Sequence, residues 1–438
     1  MSIWTLTSEC RRLWKNAFKS SEQIQAESLA SFRRIVRHAW ENTVFYPAFW
    51  KEKGFCPEDI SAVKPEDIPI LTKQDLVEYR NKHLAFPVVD RKNLHWDRKN
   101  IVLRSSGSTG TPAQFLYSRA ALTTVEANFV RLSNLGGNKR VEFRDLPVRV
   151  IHTASIGPEY ASYVLLSEGL SKYHARCLLL DTRAPLEEWP FMIGDYKPNY
   201  LSGYPSCLAL LLHLQKHGKI QLHPLKIVSG GEPLGQSLKK ELEEYFSADV
   251  IDFYGCSESL FIGAGSSWYE GIYLFDDVNY IETDSDGHLI LTPFYNRAAP
   301  LIRYKLDDIV YGFSRSYEGP QPFTHIDGIA GRDNDILWFV NEDGLRDYLH
   351  PLVLDDLSVP GLRQFQFVQT GDSSFRVDCL TEESIADEQG LSGIREAVRQ
   401  QMDSLLEKKR MRNVRYEIEF PAQLLRNSIS GKVPLTVR

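Results

Sequence analysis

The stretch "RSSGSTGTPAQF", residues 104 to 115, packs hydroxyls and glycines into one short loop. Ser105, Ser106, Ser108 and Thr109 offer hydroxyl donors. Gly107 and Gly110 let the backbone come close to a ligand with its N–H groups turned toward it. A neutral, donor-rich cradle of this kind suits a polyphosphate. Two other phosphate and nucleophile patterns are not met: no Lys-Ser or Lys-Thr follows Gly110, as a P-loop requires, and the Gly-x-Ser-x-Gly elbow is missing. Taken alone, the segment reads as a flexible surface turn or as a phosphate clamp of a different type.

The elements that must position this loop follow from periodicity. Ile101-Val102-Leu103, just before it, reads as a buried strand. Upstream, Leu29, Phe32, Ile35, Val36 and Ala39 fall at helical spacing and predict a helix over residues 21–50. A second helix is expected from Thr72, with Asp75 three residues on as a capping box. From about residue 100 the texture changes. Apolar runs such as "VRVIHTA", "ARCLLLD", "NYLSGYP", "LKIVSGG" and "ADVIDFYG" alternate with helical stretches at 206–217 and 235–246. Short buried strands alternating with helices predict an α/β domain with substantial parallel pairing. Between about 271 and 313 the pattern is mostly β, with Asp286-Gly287 at a hairpin turn. "TDSDG" there lacks the other ligands of a calcium loop and reads as a plain turn. From about 335 a smaller α+β texture follows, with a helix over 391–408 and the strand "VRYEIEF".

Composition narrows the classes. The chain has 438 residues, 43% apolar and 25% charged, which allows two or three soluble domains. A net charge of −6 with dispersed Lys and Arg makes nucleic acid a poor partner. No apolar run reaches the length of a membrane span, and the N-terminus lacks the apolar core of a secretory signal. The six cysteines contain no Cys-x-x-Cys pair, so neither a zinc knuckle nor a disulfide framework is indicated, and the expected setting is the cytoplasm.

Downstream of the loop come "SGGEP" at 229–233, "DFYGCSE" at 252–258, "RYKLDDI" at 303–309, "GRDND" at 331–335 and "SISGKVP" at 428–434. In this order the chain resembles the adenylate-forming superfamily of acyl-CoA synthetases. It is most similar to the phenylacetate–CoA ligase branch and its capsular-polysaccharide-associated relatives, which "FYPAFWKEKGFCPEDI" and "IPILTKQDL" also resemble. The resemblance implies an α/β fold. A large N-terminal ATP- and carboxylate-binding domain with a β-rich subdomain, residues 1–333, is hinged to a small α+β C-terminal lid, residues 334–438.

The same resemblance implies two half-reactions. A small, aromatic or apolar carboxylic acid is joined to AMP with release of pyrophosphate, and coenzyme A then takes the acyl group. Ser105, Ser106, Gly107, Ser108, Thr109 and Gly110 would hold the phosphates of ATP. Gly230, Gly231, Glu232 and Pro233 would flank the adenine with Asp252, Tyr254 and Gly255; Asp308 would accept from the ribose hydroxyls. Glu258 would bind Mg²⁺, with Thr109 as a hydroxyl ligand, Arg332 would reach ribose or phosphate, and Asn334 marks the hinge. Lys432, preceded by Gly431, would bridge carboxylate and α-phosphate. Tyr160, Tyr163, Tyr204, Ser257 and Phe261 would line the acyl pocket. Two departures stand out. Ala113 follows Pro112 where many relatives carry Lys. "ILWFVNEDGLRDYLHP" has a single glycine where many carry a Gly-rich pantetheine loop, so a carrier protein or an amine is the alternative acceptor. A non-catalytic nucleotide-binding protein is the third reading.

Overall fold

The structure, a computed structural model, describes residues 3–60, 62–83, 85, 87–89, 100–104, 114–134, 145, 147–154, 175–181, 184, 186–332, 337–342, 346–349, 354, 357–382, 385, 387–426 and 433–437. It divides into two compact units. One comprises residues 1–231 and 242–329, the other 232–241 and 330–438.

The first unit opens with helices α1 (Ile3–Asn16), α2 (Ser21–Asn42) and α3 (Phe45–Glu52). The expected single helix over 21–50 is therefore two helices. Ser20 starts α2 with a capping box, its Oγ taking the Gln23 amide at 3.3 Å while Gln23 Oε1 takes the Ser20 amide at 3.1 Å. Thr43 makes the break: its hydroxyl donates to the Ala39 carbonyl at 2.7 Å and accepts the Tyr46 amide at 3.2 Å. One side chain thus ends α2 and begins α3. Helix α4 (Lys73–His83) starts at the Thr72–Asp75 box, where Asp75 Oδ2 accepts the Thr72 amide at 2.9 Å.

Strands β1 (Asn100–Arg104) and β2 (Gln114–Ser118) form an antiparallel pair with Arg104 opposite Gln114, so the two ends of the hydroxyl-rich segment lie side by side. Helix α5 (Ala121–Asn134) follows. The main sheet has eight strands. Its parallel part runs β4 (Arg176–Asp181), β3 (Arg149–Ala154), β5 (Tyr200–Gly203), β6 (Lys226–Gly230) and β7 (Asp249–Tyr254). Helices α6 (Trp189–Ile193), α7 (Pro205–Lys216) and α8 (Gln236–Phe246) alternate with these strands. Antiparallel β8 (Gly263–Ser266), β9 (Tyr269–Leu274) and β13 (Thr324–Ile326) complete the sheet. A second sheet holds β10 (Asn279–Thr283), β11 (His288–Pro293), β12 (Tyr304–Tyr311) and β14 (Gly328–Arg332). The turn between β10 and β11 places Gly287 at φ +86°, where a left-handed residue is needed.

The second unit contains the hairpin β15 (Leu337–Val340) with β16 (Arg346–Leu349), and a sheet ordered β19 (Arg415–Glu419), β18 (Ser374–Thr381), β17 (Leu362–Gly371), β20 (Thr436–Val437). Helix α9 (Glu388–Lys408), begun three residues before the sequence suggests because Asp387 caps the Gly390 amide, buries Ile394, Val398, Met402 and Leu406. Their i, i+4 spacing makes one apolar stripe. Among the described residues, no helix is long and apolar enough to cross a membrane.

Candidate functional site

The register of the parallel strands sets Ser229 beside Asp252 and Gly230 beside Phe253. "SGG" and "DFYG" therefore end adjacent strands at their carboxyl ends, where open α/β sheets bind ligands. Gly231 leaves β6 at φ +83° and leads to Glu232 and Pro233, which fall in the second unit.

Strand β12 alternates strictly between buried and outward positions. Asp308 is 7% exposed and faces inward with Tyr304 and Leu306, whereas Asp307 is exposed. Pairing with β11 passes from Ile290–Lys305 to His288–Ile309, so β12 carries a bulge beside these aspartates. The strand entry is fixed by Arg303, held at φ +49° with Nε 3.1 Å from Glu282 Oε2 and with a guanidinium bond to the Ile68 carbonyl. Inward-facing Asp308 meets Tyr254: the Tyr254 hydroxyl donates to Asp308 Oδ2 at 2.8 Å. The phenol from β7 and the carboxylate from β12, singled out separately in the sequence, are hydrogen-bonded partners.

Beyond Tyr254 the chain folds back at once. A Cβ on Gly255 would come within 2.6 Å of the Leu260 carbonyl oxygen and 2.7 Å of the Phe253 ring, so only glycine permits this turn. Cys256 and Ser259 close it, with Cys256 N to Ser259 O at 3.0 Å and Ser259 N to Cys256 Sγ at 3.4 Å. Three tyrosines from other elements surround it. The Tyr117 hydroxyl, on β2, donates to the Ser257 carbonyl at 2.8 Å. Tyr295 accepts the Leu260 amide at 2.9 Å and lies 3.1 Å from Ser259 Oγ. Tyr304 directs its hydroxyl to Glu258; burial and then the Glu258 charge hold that phenol well above its usual range. Burial, followed by the charges of Glu258 and Asp308, likewise keeps the Cys256 thiol protonated.

Glu258 also lines a cavity of about 10 Å³, the space of one water, with Tyr117, Gln114 and Asn296. The Asn296 side-chain oxygen there is buried without a hydrogen-bond partner. The donors are thus a carboxylate, phenols and an amide oxygen, and the nearby thiol stays neutral. This set fits a hard cation such as Mg²⁺ and not a thiophilic metal. A second group, Asp284, Asp286 and His288 at the β10–β11 turn, brings ligand atoms within 4.8 Å of one another. Asp284 is engaged there with Lys305 at 2.6 Å and with the Asp286 and His288 amides, which fits the expected structural turn.

The remaining expected residues divide as follows. Tyr204 begins α7, its amide donating to the Thr153 carbonyl at 3.2 Å. Phe261 is fully buried in an aromatic cluster with Phe129 and Phe253, ring centroids 4.9 and 4.8 Å away. Arg332 ends β14; its side chain, and Ser105, Ser106, Gly107, Ser108, Thr109, Gly110, Tyr160, Tyr163, Asn334 and Lys432, lie outside the described residues. Sequence reasoning missed Tyr117 and Tyr295, which sit beside apolar residues and read as core; His152 opens the stretch "HTASIGPEYASY", expected as a wall of the acyl pocket. His152 is buried on β3, with Nδ1 3.2 Å from Ser202 Oγ and Nε2 without a partner, and burial lowers its pKa to about 4.

With that geometry in view, four likenesses carry weight. A family model described as AMP-binding enzyme matches residues 56–283. Phenylacetate-coenzyme A ligase of Escherichia coli (strain K12) is 27% identical over 346 residues, covering 73% of each chain. Protein CapK of Staphylococcus aureus is 22% identical over 329 residues, covering 70% of this chain and 67% of the relative. Among solved structures, a 2-hydroxyisobutyryl-CoA ligase in complex with R3-HIB-AMP superposes with a TM-score of 0.74 at 20% identity, covering 96% of this chain and 90% of that one. This last likeness establishes the shared fold, a large α/β region followed by a small C-terminal domain.

Proposed function

The chain belongs to the AMP-binding enzyme family, and from that premise we propose that it is an AMP-forming acid–CoA ligase. It joins a carboxylic acid to the α-phosphorus of ATP, then passes the acyl group to coenzyme A. The observation that supports the reading is the 2.8 Å bond between Tyr254, at the end of β7, and Asp308 of β12, which joins the two motifs read as adenine- and ribose-binding.

In the first step a carboxylate oxygen forms a bond to the α-phosphorus and the bond to the bridging oxygen breaks, releasing pyrophosphate. An anion approaches a polyanion, so positioning and charge neutralisation dominate the barrier. Asp308, oriented by Tyr254, accepts from the ribose hydroxyls and sets the sugar. The segment 105–113, whose ends are clamped by the Arg104–Gln114 pairing, supplies amides and hydroxyls to the phosphates. Lys432 brings a cation to the α-phosphate. Glu258 would hold Mg²⁺, which when bound neutralises phosphate charge. In the second step the thiol sulfur bonds to the acyl carbon, AMP leaves on its phosphate oxygen, and the thiol proton passes to solvent.

Residues 1–333 act as the body and 334–438 as a lid turning at Asn334, which shields the adenylate from water. Aromatic or small apolar acids are the expected substrates. The test is pyrophosphate release across a panel of carboxylic acids, each with and without CoA and with product identified. Acid-dependent pyrophosphate release with acyl-CoA formed supports the ligase. Release with acyl-AMP accumulating despite CoA points to a carrier protein or amine as acceptor. No release with any acid refutes adenylation.

A further inference from the structure

The turn that carries Glu258 is gripped on both sides by tyrosines that no motif contains. Before Glu258, the Ser257 carbonyl takes the hydroxyl of Tyr117 at 2.8 Å; after it, the Leu260 amide gives its proton to Tyr295 at 2.9 Å. The two rings lie nearly parallel, 25° apart with centroids 6.5 Å apart, so they brace each other. Tyr295 also reaches Ser259 Oγ at 3.1 Å. That hydroxyl donates to Asn279 Oδ1 at 2.8 Å, and Asn279 returns its amide to the Phe261 carbonyl at 2.7 Å. The hydrogen bonds of both tyrosines and of Ser259 thus converge on the short segment 257–261 around one carboxylate. Tyr117 has a further attribute: it lies on β2, the strand that leaves the hydroxyl-rich segment 105–113. It therefore ties the base of that segment to the Glu258 turn through one fully buried side chain.

We infer that Tyr117 and Tyr295 are positioning residues that fix the Glu258 carboxylate relative to the phosphate-facing hairpin, and so set the affinity for the divalent cation that accompanies ATP. This rests on the reading of Glu258 as the cation-binding carboxylate. Groups that orient a metal ligand without touching the metal typically control affinity by about tenfold or more. A tyrosine that only filled core volume would keep its effect in phenylalanine form; here the oxygen carries the contact.

The experiment uses the full-length protein as Tyr117→Phe, Tyr295→Phe, the double variant and Glu258→Gln. Mn²⁺ affinity is read by electron paramagnetic resonance in the presence of a non-hydrolysable ATP analogue. Melting temperature and the KM for the carboxylic acid are measured beside it. The expected result is an Mn²⁺ affinity weakened about tenfold in each single tyrosine variant, with the acid KM unchanged and the weakening in the double variant less than multiplicative, since both act through one turn. Mn²⁺ affinity equal to wild type in both single variants, while Glu258→Gln loses it, overturns the positioning role and leaves the Glu258 reading intact. Undiminished affinity in Glu258→Gln overturns the reading beneath it. A lowered melting temperature with Mn²⁺ affinity preserved assigns the tyrosines to packing and also overturns the proposal.

Discussion

Replacing Tyr254 with Phe removes one oxygen and keeps the ring. That oxygen donates at 2.8 Å to Asp308, and both residues are 7% exposed, so water replaces the bond poorly. Net contributions of hydrogen bonds to charged groups run about 1.5–3 kcal/mol. At 1.4 kcal/mol per decade this converts to roughly 10- to 100-fold. The lower end applies if Asp308 keeps its place and loses only its orientation, so about a tenfold rise in the KM for ATP is expected. Ribose contacts are made equally in the ground and transition states, so kcat should move little and the KM for the acid not at all. A pyrophosphate-exchange assay reads all three quantities. The sharper measurement pairs the variant with ATP lacking both ribose hydroxyls. Wild type should discriminate strongly against that analogue and Tyr254→Phe much less, because the two changes act on one carboxylate. Equal discrimination by both proteins refutes the claim that Tyr254 works through Asp308. An unchanged KM for ATP refutes the role of the bond itself.

Three further outcomes are expected. Lys432→Ala should lower adenylate formation at least about a hundredfold, since one ion pair at roughly 4 Å and dielectric about 20 is worth about 4 kcal/mol before desolvation; thioester formation from supplied acyl-AMP should survive, and equal loss in both assays counts against the residue. Arg131→Met should destabilise the first unit by about 3–5 kcal/mol, because it strips the guanidinium that lies over the Phe275 ring and pairs with buried Asp277; denaturant melts read it, and the loss should shrink at acid pH as Asp277 takes up a proton. His152 titrates near 4 in the folded chain because burial disfavours its charge. The unfolded chain binds that proton more readily between pH 6.5 and 4, so stability should fall as pH drops through that window; His152→Phe should flatten the slope, and an unchanged slope would show that other groups set it.

Much of the fold was legible because burial imposes period. The parallel strands β3, β5, β6 and β7 announce themselves as apolar runs, since most of their residues are buried, while the edge strand β4 is only partly so. The capping box at Thr72 was visible for the same local reason. The split between α2 and α3 was not, since nothing in the spacing of Leu29 to Ala39 shows that the Thr43 hydroxyl turns back on Ala39. At the site, the residues were recognisable through ordered motifs, but their partnerships were not. Tyr254 and Asp308 are 54 positions apart and lie on strands of two different sheets, so only their packing brings them together. Tyr117 and Tyr295 gave no signal at all. A buried phenol that orders a turn and one that fills a core look alike until the hydrogen-bond partner is known.

The bulge in β12 has a consequence for which aspartate faces inward. Between its pairings with Ile290 and His288, β12 runs from Lys305 to Ile309, four steps against two on β11. The surplus is even, so side chains on either side of the irregularity keep their faces. An odd surplus would rotate the strand's far half, hiding Asp307 and sending Asp308 to solvent. Chain length here is thus constrained by parity: deleting Leu306 alone should cost more activity than deleting it together with a neighbour, although the smaller change removes fewer atoms.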